Sequence, residues 1–256
     1  MAGIPASASA QVSAAERPIE PDRPDLTNGA NVVQPGQVLF ELGGIFTRES
    51  PGHHTTGAPI GIRVGVVDWL EARANIDTRL RVDNANGEQA GVGSVQLGAK
   101  IRLWPDAEGL SRLSVAPSVT MPRSGDPDVG IFVLSGFDIG PRARLDVNYG
   151  IGAIADDGSH FLQHLVSGSL SYAAADRWSP YIELFEISRG SADGTPIVAI
   201  NTGVLYGLTP RVIIDGGVQF GTSDDAPSFA AFAGLSFAVG RPRRLPTTTS
   251  AVPGRD

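Results

Sequence analysis

The stretch from Trp69 to Val82 alternates apolar and polar side chains almost without a break. Its even-numbered positions are apolar except for Thr78, and its odd-numbered positions after Trp69 are Glu, Arg, Asn and Asp. A period of two is typical of a β-strand, because successive side chains leave a strand on opposite faces. The pattern therefore predicts a sheet with an apolar face and a densely charged face.

The same alternation recurs along most of the chain. The predicted strands cover residues 36–48, 58–67, 69–82, 93–104, 112–122, 129–139, 142–154, 161–174, 178–188, 196–207, 211–222 and 228–240. Most are as long as the roughly 9–11 residues that a tilted membrane-spanning strand needs, whereas globular strands average about 5–6. The sequence thus predicts an all-β fold: a single up-and-down transmembrane β-barrel of about 12 antiparallel strands.

The predicted connections alternate in character along the chain. Tight ones fall near Asp68, Gly140-Pro141, Ala175-Asp176 and Thr209-Pro210, with a longer one at 105–111. The others are more polar and looser, at 49–57, 83–92, 123–128, 155–160, 189–195 and 223–227. Bacterial outer-membrane barrels have short periplasmic turns and longer outer loops. The order predicts that both chain ends lie on the periplasmic side, and it predicts the outer membrane of a Gram-negative bacterium as the location.

Aromatic residues are sorted by the type of connection. Those near the tight turns are Trp69, Trp104, Trp178, Tyr172, Tyr206 and Phe237, and those near the looser loops are Phe46, Phe161, Phe220 and Phe229. Two aromatic rings around an apolar band are typical of a bilayer-spanning barrel. Strand parity departs from this pattern at Trp69 and Trp104, which it places on the polar face.

Composition excludes several classes of function. The net charge of −7 argues against general nucleic-acid binding, and the absence of Cys excludes thiolate metal sites and Cys nucleophiles. We expect no metal, cofactor or enzymatic activity.

The chain divides into three predicted regions. Residues 1–35 are rich in Ala, Pro and Ser and are predicted to form a periplasmic segment, with a trimmed signal stub and a lumen plug as candidate parts. Residues 36–240 are predicted to form the barrel, and residues 241–256 a disordered tail.

Strand parity assigns many charged residues to the lumen. The acidic ones are Glu41, Glu71, Asp77, Asp138, Asp146, Glu183 and Asp215; the basic ones are Arg63, Arg73, Arg79, Arg81, Lys100, Arg102, Arg112, Arg142, Arg144 and Arg211. The excess of basic residues favours a narrow channel with a mild anion preference. The alternative is a lumen filled by interlocking ion pairs, in a structural or adhesive barrel without transport.

A smaller alternative is a hydrolase on the lipid face. Parity places His164, Glu186 and Ser188 on that face, and a turn centred on Asp176 pairs His164 with Ser188. A Ser beside a His with a carboxylate nearby is the arrangement of a base-activated nucleophile.

The segment before the first strand resembles a known family. Glu20 to Arg48 contains Asp22-Arg23-Pro24-Asp25 and Thr27, then Pro35-Gly36, then a strand with Glu41, Gly43 and Thr47-Arg48. These residues, and the strand Val95–Trp104, resemble the outer-membrane transporter family of the MetA-pathway of phenol degradation. The resemblance implies an outer-membrane barrel that transports small solutes, of which anionic, hydrophobic and aromatic ones are candidates. The closing strand of this chain, with Gly234, Phe237 and Val239, resembles the signal by which the barrel-assembly machinery recognises its substrates. The expected partners are that machinery, outer-membrane lipid and a small-molecule solute.

The motif itself predicts more than a linker. We expect Asp22, Arg23, Asp25 and Thr27 to fold into the periplasmic mouth as a plug. The expected partners are Glu71 or Asp146 for Arg23, and Arg73, Arg112 or Arg144 for Asp22 or Asp25. Such a segment narrows the pore and can gate it.

Overall fold

The computed structural model describes residues 18–50, 53–84, 87–104 and 111–242, apart from the side chains of residues 50 and 79–92. The regular elements in these ranges are all β-strands. They are β1 (Gln37–Ser50), β2 (His53–Gly57), β3 (Ile60–Val67), β4 (Leu70–Asn84), β5 (Gly87–Trp104), β6 (Ser111–Pro122), β7 (Asp128–Ile139), β8 (Ala143–Asp156), β9 (Ser159–Tyr172), β10 (Trp178–Ile187), β11 (Ile197–Thr209), β12 (Val212–Gly221) and β13 (Phe229–Gly240). Within the described ranges, no helix has the length and apolar character to cross a membrane. The predicted tail beyond residue 242 and the side chains of Arg79 and Arg81 lie outside the described residues.

The sheet closes on itself. Neighbouring strands from β3 to β13 pair antiparallel in chain order. The last strand, β13, pairs with β1 from Gln37 opposite Gly240 to Arg48 opposite Phe229. A closed sheet leaves no open edge, which is the condition for a sheet to span a bilayer. The predicted antiparallel barrel is therefore confirmed.

The second strand of the wall is broken in two, which the sequence prediction missed. Both β2 and β3 pair with β1 on one side and β4 on the other, so together they occupy one place in the wall. The break falls at Ala58-Pro59, where proline has no N–H to donate to the ladder. The Ala58 N–H instead bonds the Thr78 hydroxyl at 2.9 Å, and Pro59 accepts from Gly43 at 3.0 Å. Thirteen strand segments thus form a twelve-strand wall.

Several connections predicted as loose outer loops are mostly strand. Residues 53–57 form β2, and β4 and β5 extend to residues 84 and 87. The prediction of a loop at 155–160 is also wrong, because β8 and β9 are joined by a tight turn at Asp157-Gly158. Both turn residues have positive φ, 45° and 78°, which is the conformation of the two-residue hairpin turns that Asp-Gly favours.

Burial in this barrel is the reverse of that in a soluble protein. The largest fully buried side chains include Arg63, Lys100, Glu71 and Glu183. Apolar side chains face outward instead and are exposed, among them Leu97, Val119, Ile131, Val133, Val147, Leu162, Val166, Leu170, Ile182, Leu184, Ile200 and Ile214. This arrangement fits a bilayer around the barrel and a polar lumen within it.

Aromatic residues border the exposed apolar surface. Trp69, Trp104 and Trp178 are all exposed at the end that holds both barrel termini. The parity rule placed Trp69 and Trp104 in the lumen and was wrong there. Trp69 lies in a turn, and the register of the β5–β6 ladder shifts between Arg102 and Trp104, so that neither keeps the alternation of its strand.

Candidate functional site

Residues 18–36, the inner segment, run inside the barrel. The segment contains no strand, and several of its backbone polar groups bond to side chains of the wall. The N–H groups of Asn28 and Val33 donate to Asn148 on β8 at 2.7 Å and to Glu71 on β4 at 2.9 Å. The Ala30 carbonyl accepts from Ser114 on β6 at 2.6 Å. The segment therefore replaces water as the hydrogen-bonding partner of the lumenal side chains.

Asp22 is the most heavily bonded charge of the inner segment. Its carboxylate lies 3.3 Å from the guanidinium of Arg63, 2.7 Å from that of Arg73 and 2.9 Å from the ammonium of Lys100. The Asp22 N–H donates to Glu41 at 2.7 Å. Burial alone raises the pKa of the Asp22 carboxyl, but the three cations outweigh it and hold that pKa well below its usual range. Asp22 is consequently ionised when the segment is docked.

The three cations around Asp22 are held by further contacts with the wall and with the inner segment. Arg63 donates from Nε and Nη2 to the two oxygens of Glu71, at 2.7 and 2.9 Å. Lys100, the one lysine of the chain, also donates to the carbonyls of Gly29 and Asn31, at 2.8 and 3.3 Å. Buried charges are tolerated when they are paired and hydrogen-bonded, and this network meets that condition.

Thr27 fixes the segment to the opposite wall. Its N–H and its hydroxyl both donate to one oxygen of Glu183 on β10 at 2.5 Å, and its Oγ1 lies 2.8 Å from the hydroxyl of Ser167 on β9. Asn201 on β11 donates to the other carboxylate oxygen of Glu183. A buried carboxylate accepting several hydrogen bonds is stabilised without a cation.

Arg23 lies at the seam where the barrel closes. Its guanidinium donates to Asp215 on β12 at 3.3 Å and to the Ala233 carbonyl at 3.2 Å. The expected pairing with Glu71 or Asp146 is wrong, because Arg63 already occupies Glu71 and Arg144 lies 2.8 Å from Asp146.

Of the pairings expected for Asp22 and Asp25, the structure shows the one for Asp22 but not the one for Asp25. Asp22 pairs with Arg73, as expected, whereas Asp25 lies near Ser169 and the Glu183 carboxylate. Arg112 pairs with Asp138 at 2.6 Å. Burial raises the pKa of the Asp25 carboxyl well above its usual range, and the Glu183 carboxylate raises it further. Arg144 binds the inner segment through Glu20, at 2.8 Å.

In the described part of the structure, the inner segment is adjoined by at least three cavities. One of about 320 Å³ separates it from the lumenal faces of β8–β12 and is lined by Tyr181, Leu205 and Ile213. Another of about 230 Å³ lies against β1, β3 and β4, near the break in the wall. Both of these are bounded by Asp22 and Arg23, so the two side chains stand between them. The third, of about 210 Å³, lies beside Arg102 and Arg112.

The lumen has two chemically different sides. The lumenal faces of β3–β6, here called the basic wall, carry Arg63, Arg73, Lys100, Arg102 and Arg112. The lumenal faces of β9–β13, here called the small-residue wall, carry many small buried residues, the larger Tyr181 and Phe185, and two acidic residues, Glu183 and Asp215. The small residues include Ser167, Ser169, Ala199, Ala230, Ser236 and Ala238.

The remaining residues predicted to line the lumen lie at its margins. Asp77 is exposed beside the 230 Å³ cavity. Arg142 and Arg211 lie in turns rather than in strands; Arg142 is exposed, and Arg211 donates to the Gly240 carbonyl at 2.7 Å. Parity fails at both positions because the chain reverses there.

The predicted set of lumenal residues left out uncharged residues that contact the inner segment. Ser114, Asn148 and Ser167 bond it directly, although the sequence analysis considered only lumenal charges. The sequence did indicate their position, since each of them lies on the strand face that carries the other polar residues of its strand.

On the lipid face, His164 and Ser188 are neighbours in the register expected from the sequence. However, the Ser188 hydroxyl accepts a hydrogen bond from the backbone N–H of His164 at 3.0 Å. The His164 imidazole bonds instead to the Tyr149 hydroxyl, with Nδ1 at 2.8 Å. Glu186 is exposed on the same face. The His imidazole and the Ser hydroxyl therefore do not form a nucleophile–base pair here. Among the described residues, no cluster of His, Asp or Glu has the composition to hold a metal ion.

The fold is shared with solved outer-membrane proteins. An outer-membrane channel from Pseudomonas putida F1 is 12% identical with a TM-score of 0.67, over 82% of this chain and 98% of that one. The NanC porin is 12% identical with a TM-score of 0.57, over 77% and 98% of the two chains. The KdgM porin is 9% identical with a TM-score of 0.56, over 78% and 98%. At these identities the likeness establishes the outer-membrane barrel fold.

Sequence comparison establishes the family. No curated protein matches the chain. A family model, however, matches residues 21–239, which include the inner segment from Pro21 onward and nearly the whole barrel. The chain therefore belongs to the family described as the MetA-pathway of phenol degradation.

Proposed function

We propose that the protein is an outer-membrane channel for small polar solutes, narrowed from within by the inner segment. The observation that carries this proposal is the chemistry of the lumen. A barrel that served only as a scaffold could fill its interior with apolar side chains, whereas this one contains ionised groups and cavities of about 320 and 230 Å³ on two sides of a separate segment. The solved barrels with the same fold include proteins named as porins and as a channel, which supports the proposal.

The inner segment acts as a plug in this proposal. It is held by side chains rather than by strand pairing, so it can leave without breaking the sheet. Its docked position gives each buried basic side chain of the network an acidic partner. The acidic groups of the plug thereby offset part of the basic excess that suggested an anion preference, and the proposed pore has weaker charge selection while the plug is docked.

Conductance in planar bilayers tests the proposal. We expect the refolded wild-type protein to give small, fluctuating steps, and a variant lacking residues 1–30 to give larger ones while its heat-modifiable gel mobility shows a folded barrel. The control is Asp126→Ala, which changes an exposed residue of the loop between β6 and β7, away from the three cavities beside the inner segment. A folded deletion variant with no conductance above background would show a closed, structural barrel.

We infer further that the protein has no hydrolytic activity, since the His164 imidazole is bonded to Tyr149 rather than to Ser188. Ser188→Ala is expected to leave conductance unchanged, and the wild type should release no fatty acid from phospholipid vesicles. Release of fatty acid that Ser188→Ala abolishes would contradict this inference. Insertion by the barrel-assembly machinery belongs to the same proposal, with Phe237 and Val239 of the closing strand β13 as its recognition residues.

A further inference from the structure

The position of Arg23 reveals a preformed slot in the wall. Gly43 on β1 and Gly234 on β13 are paired across the closing seam. A Cβ added to Gly43 would lie 2.1 Å from Nη1 of Arg23, and one added to Gly234 would lie 2.6 Å from its Nε. The guanidinium thus fills space that exists only because both paired residues lack a side chain.

The slot also carries a negative charge. Asp215, directly beside Gly234 in the β12–β13 ladder, has a fully buried side chain that faces Arg23 at 3.3 Å. The Ala233 carbonyl adds a second acceptor at 3.2 Å. Among the described residues, the second oxygen of Asp215 and the Nε of Arg23 have no hydrogen-bond partner. Arg23 therefore uses only part of the hydrogen-bonding capacity of the slot.

The two adjacent residues of the inner segment are held very differently. Asp22 is bound by three cations of the basic wall, whereas the described ionic partner of Arg23 is the single carboxylate of Asp215. Movement of Arg23 alone would leave the segment attached to the basic wall. It would also expose a buried carboxylate without a counter-ion, which is unfavourable unless another cation takes its place.

We propose that the slot formed by Gly43, Gly234 and Asp215 is a binding site for solutes that carry a guanidinium or primary ammonium group, and that Arg23 occupies it as an internal competitor. The site deepens the proposed function, on which it rests, by naming a class of solute. Because Arg23 separates the 320 and 230 Å³ cavities, a solute in this slot lies on the path between them. A planar guanidinium matches the slot better than an ammonium ion, since its fork of N–H donors can engage a carboxylate with two bonds.

Rescue by free guanidinium tests the site. Arg23→Ala is expected to enlarge the conductance steps, and guanidinium ions at millimolar concentration are expected to return them toward the wild-type size. Tetramethylammonium, which has the same charge and no N–H donor, should have no such effect. In the double variant Arg23→Ala/Asp215→Asn, guanidinium should bind at least about tenfold more weakly, because a charged hydrogen bond is lost.

A matched pair of glycine variants tests the slot independently. Gly43→Ala should evict Arg23 and enlarge the conductance without creating a guanidinium effect, because the new methyl group fills the slot. Gly44→Ala is the control, since a Cβ there meets nothing within 4 Å. A conductance of Gly43→Ala equal to that of the wild type would contradict the proposal that Arg23 fills a slot at Gly43.

A nuclear magnetic resonance titration of isotopically labelled guanidinium against the refolded Arg23→Ala protein separates this inference from the proposed function. Binding that depends on Asp215 supports the site even if no variant conducts. Equal binding by Arg23→Ala and by Arg23→Ala/Asp215→Asn would overturn the site even if every variant conducts.

Discussion

The basic wall and the small-residue wall belong to one barrel with the same outward face, yet they treat the inner segment differently. The basic wall reaches across the lumen with long side chains and binds Asp22 through Arg63, Arg73 and Lys100. The small-residue wall leaves a cavity of about 320 Å³ and bonds the segment mainly through Glu183 and Asp215. The difference shows that strand number alone does not set the free width of the lumen. The charge and length of the side chains on each side of the lumen decide which wall anchors the segment and which borders open space.

The largest effect is expected from removing the anchor on the basic wall. Asp22→Ala leaves Arg63, Arg73 and Lys100 without their shared carboxylate, and breaking a buried ion pair costs about 3–5 kcal/mol. We expect the inner segment to undock, which limited proteolysis of the folded barrel measures as faster cleavage before residue 36. The control is Arg23→Ala, which should detach the inner segment from the small-residue wall only. We expect this variant to be cleaved more slowly than Asp22→Ala. Cleavage of both variants at equal rates would show that the basic wall does not hold the inner segment more strongly than the small-residue wall does.

The two walls should be indistinguishable on their outward faces. Leu97→Arg on β5 and Leu184→Arg on β10 both place a charge on an exposed apolar surface. Each is expected to lower the free energy of unfolding by about 2–4 kcal/mol near the bilayer midplane. Reversible refolding in lipid vesicles with urea measures the change.

The matched lumenal control is Gln96→Arg, one residue from Leu97. Gln96 faces Asn75 and Thr120, so an added charge remains in a polar environment. A loss as large as that of Leu97→Arg would mean that lumen and lipid faces are assigned the wrong way round. Asn148 is unsuitable as such a control, because it is buried against Asn28 of the inner segment.

A smaller effect is expected where the small-residue wall binds the segment. Thr27→Val removes the hydroxyl that donates to Glu183 and keeps the shape of the side chain. Loss of one hydrogen bond to a buried carboxylate costs about 1–3 kcal/mol. The proteolysis rate should lie between those of the wild type and Asp22→Ala. The control Thr27→Ser keeps the hydroxyl and should cleave at the wild-type rate.

The smallest effect is a dependence of docking on pH. Burial and the Glu183 carboxylate raise the pKa of Asp25 in the docked state, with Ser169, Asp146, Tyr181 and Arg23 as its other neighbours. A raised carboxyl pKa means that docking favours the protonated acid. The contribution of Asp25 to docking is therefore fully present below its usual pKa of 3.8 and is lost as the pH rises through the raised value. Asp25→Asn should remove this part of the pH dependence of conductance; an unchanged profile would show that Asp25 does not titrate there.

Periodicity predicted the barrel because lipid imposes a strict alternation on every strand. It located most strands to within a few residues and placed Glu41, Arg63, Glu71, Lys100, Glu183 and Asp215 on the buried lumenal side. It missed β2 because Thr55 and Thr56 carry no apolar alternation, and it missed the shift at Trp104 because a register shift has no periodic signal.

The pairing inside the lumen was harder to predict. The inner segment has no period, so its sequence does not indicate which wall each residue meets. Arg23 pairs with Asp215, whereas Glu71 and Asp146, the partners expected from the sequence, are bonded to Arg63 and Arg144 of the wall. The paired glycines Gly43 and Gly234 carry this information, but only once the register of the closing seam is known.

A disulfide between the inner segment and the wall tests the central claim most directly. The chain has no cysteine, so a single introduced pair reports one contact. Thr27 and Ser167 are suitable because their hydroxyl oxygens lie 2.8 Å apart. Thr27→Cys/Ser167→Cys should cross-link on mild oxidation in the folded barrel, reduce the fluctuation of the conductance and regain it on reduction. Thr27→Cys/Ser188→Cys, whose second cysteine lies on the outer face, should stay reduced. Cross-linking of neither pair, or of both equally, would contradict the docking of residues 18–36 within the lumen.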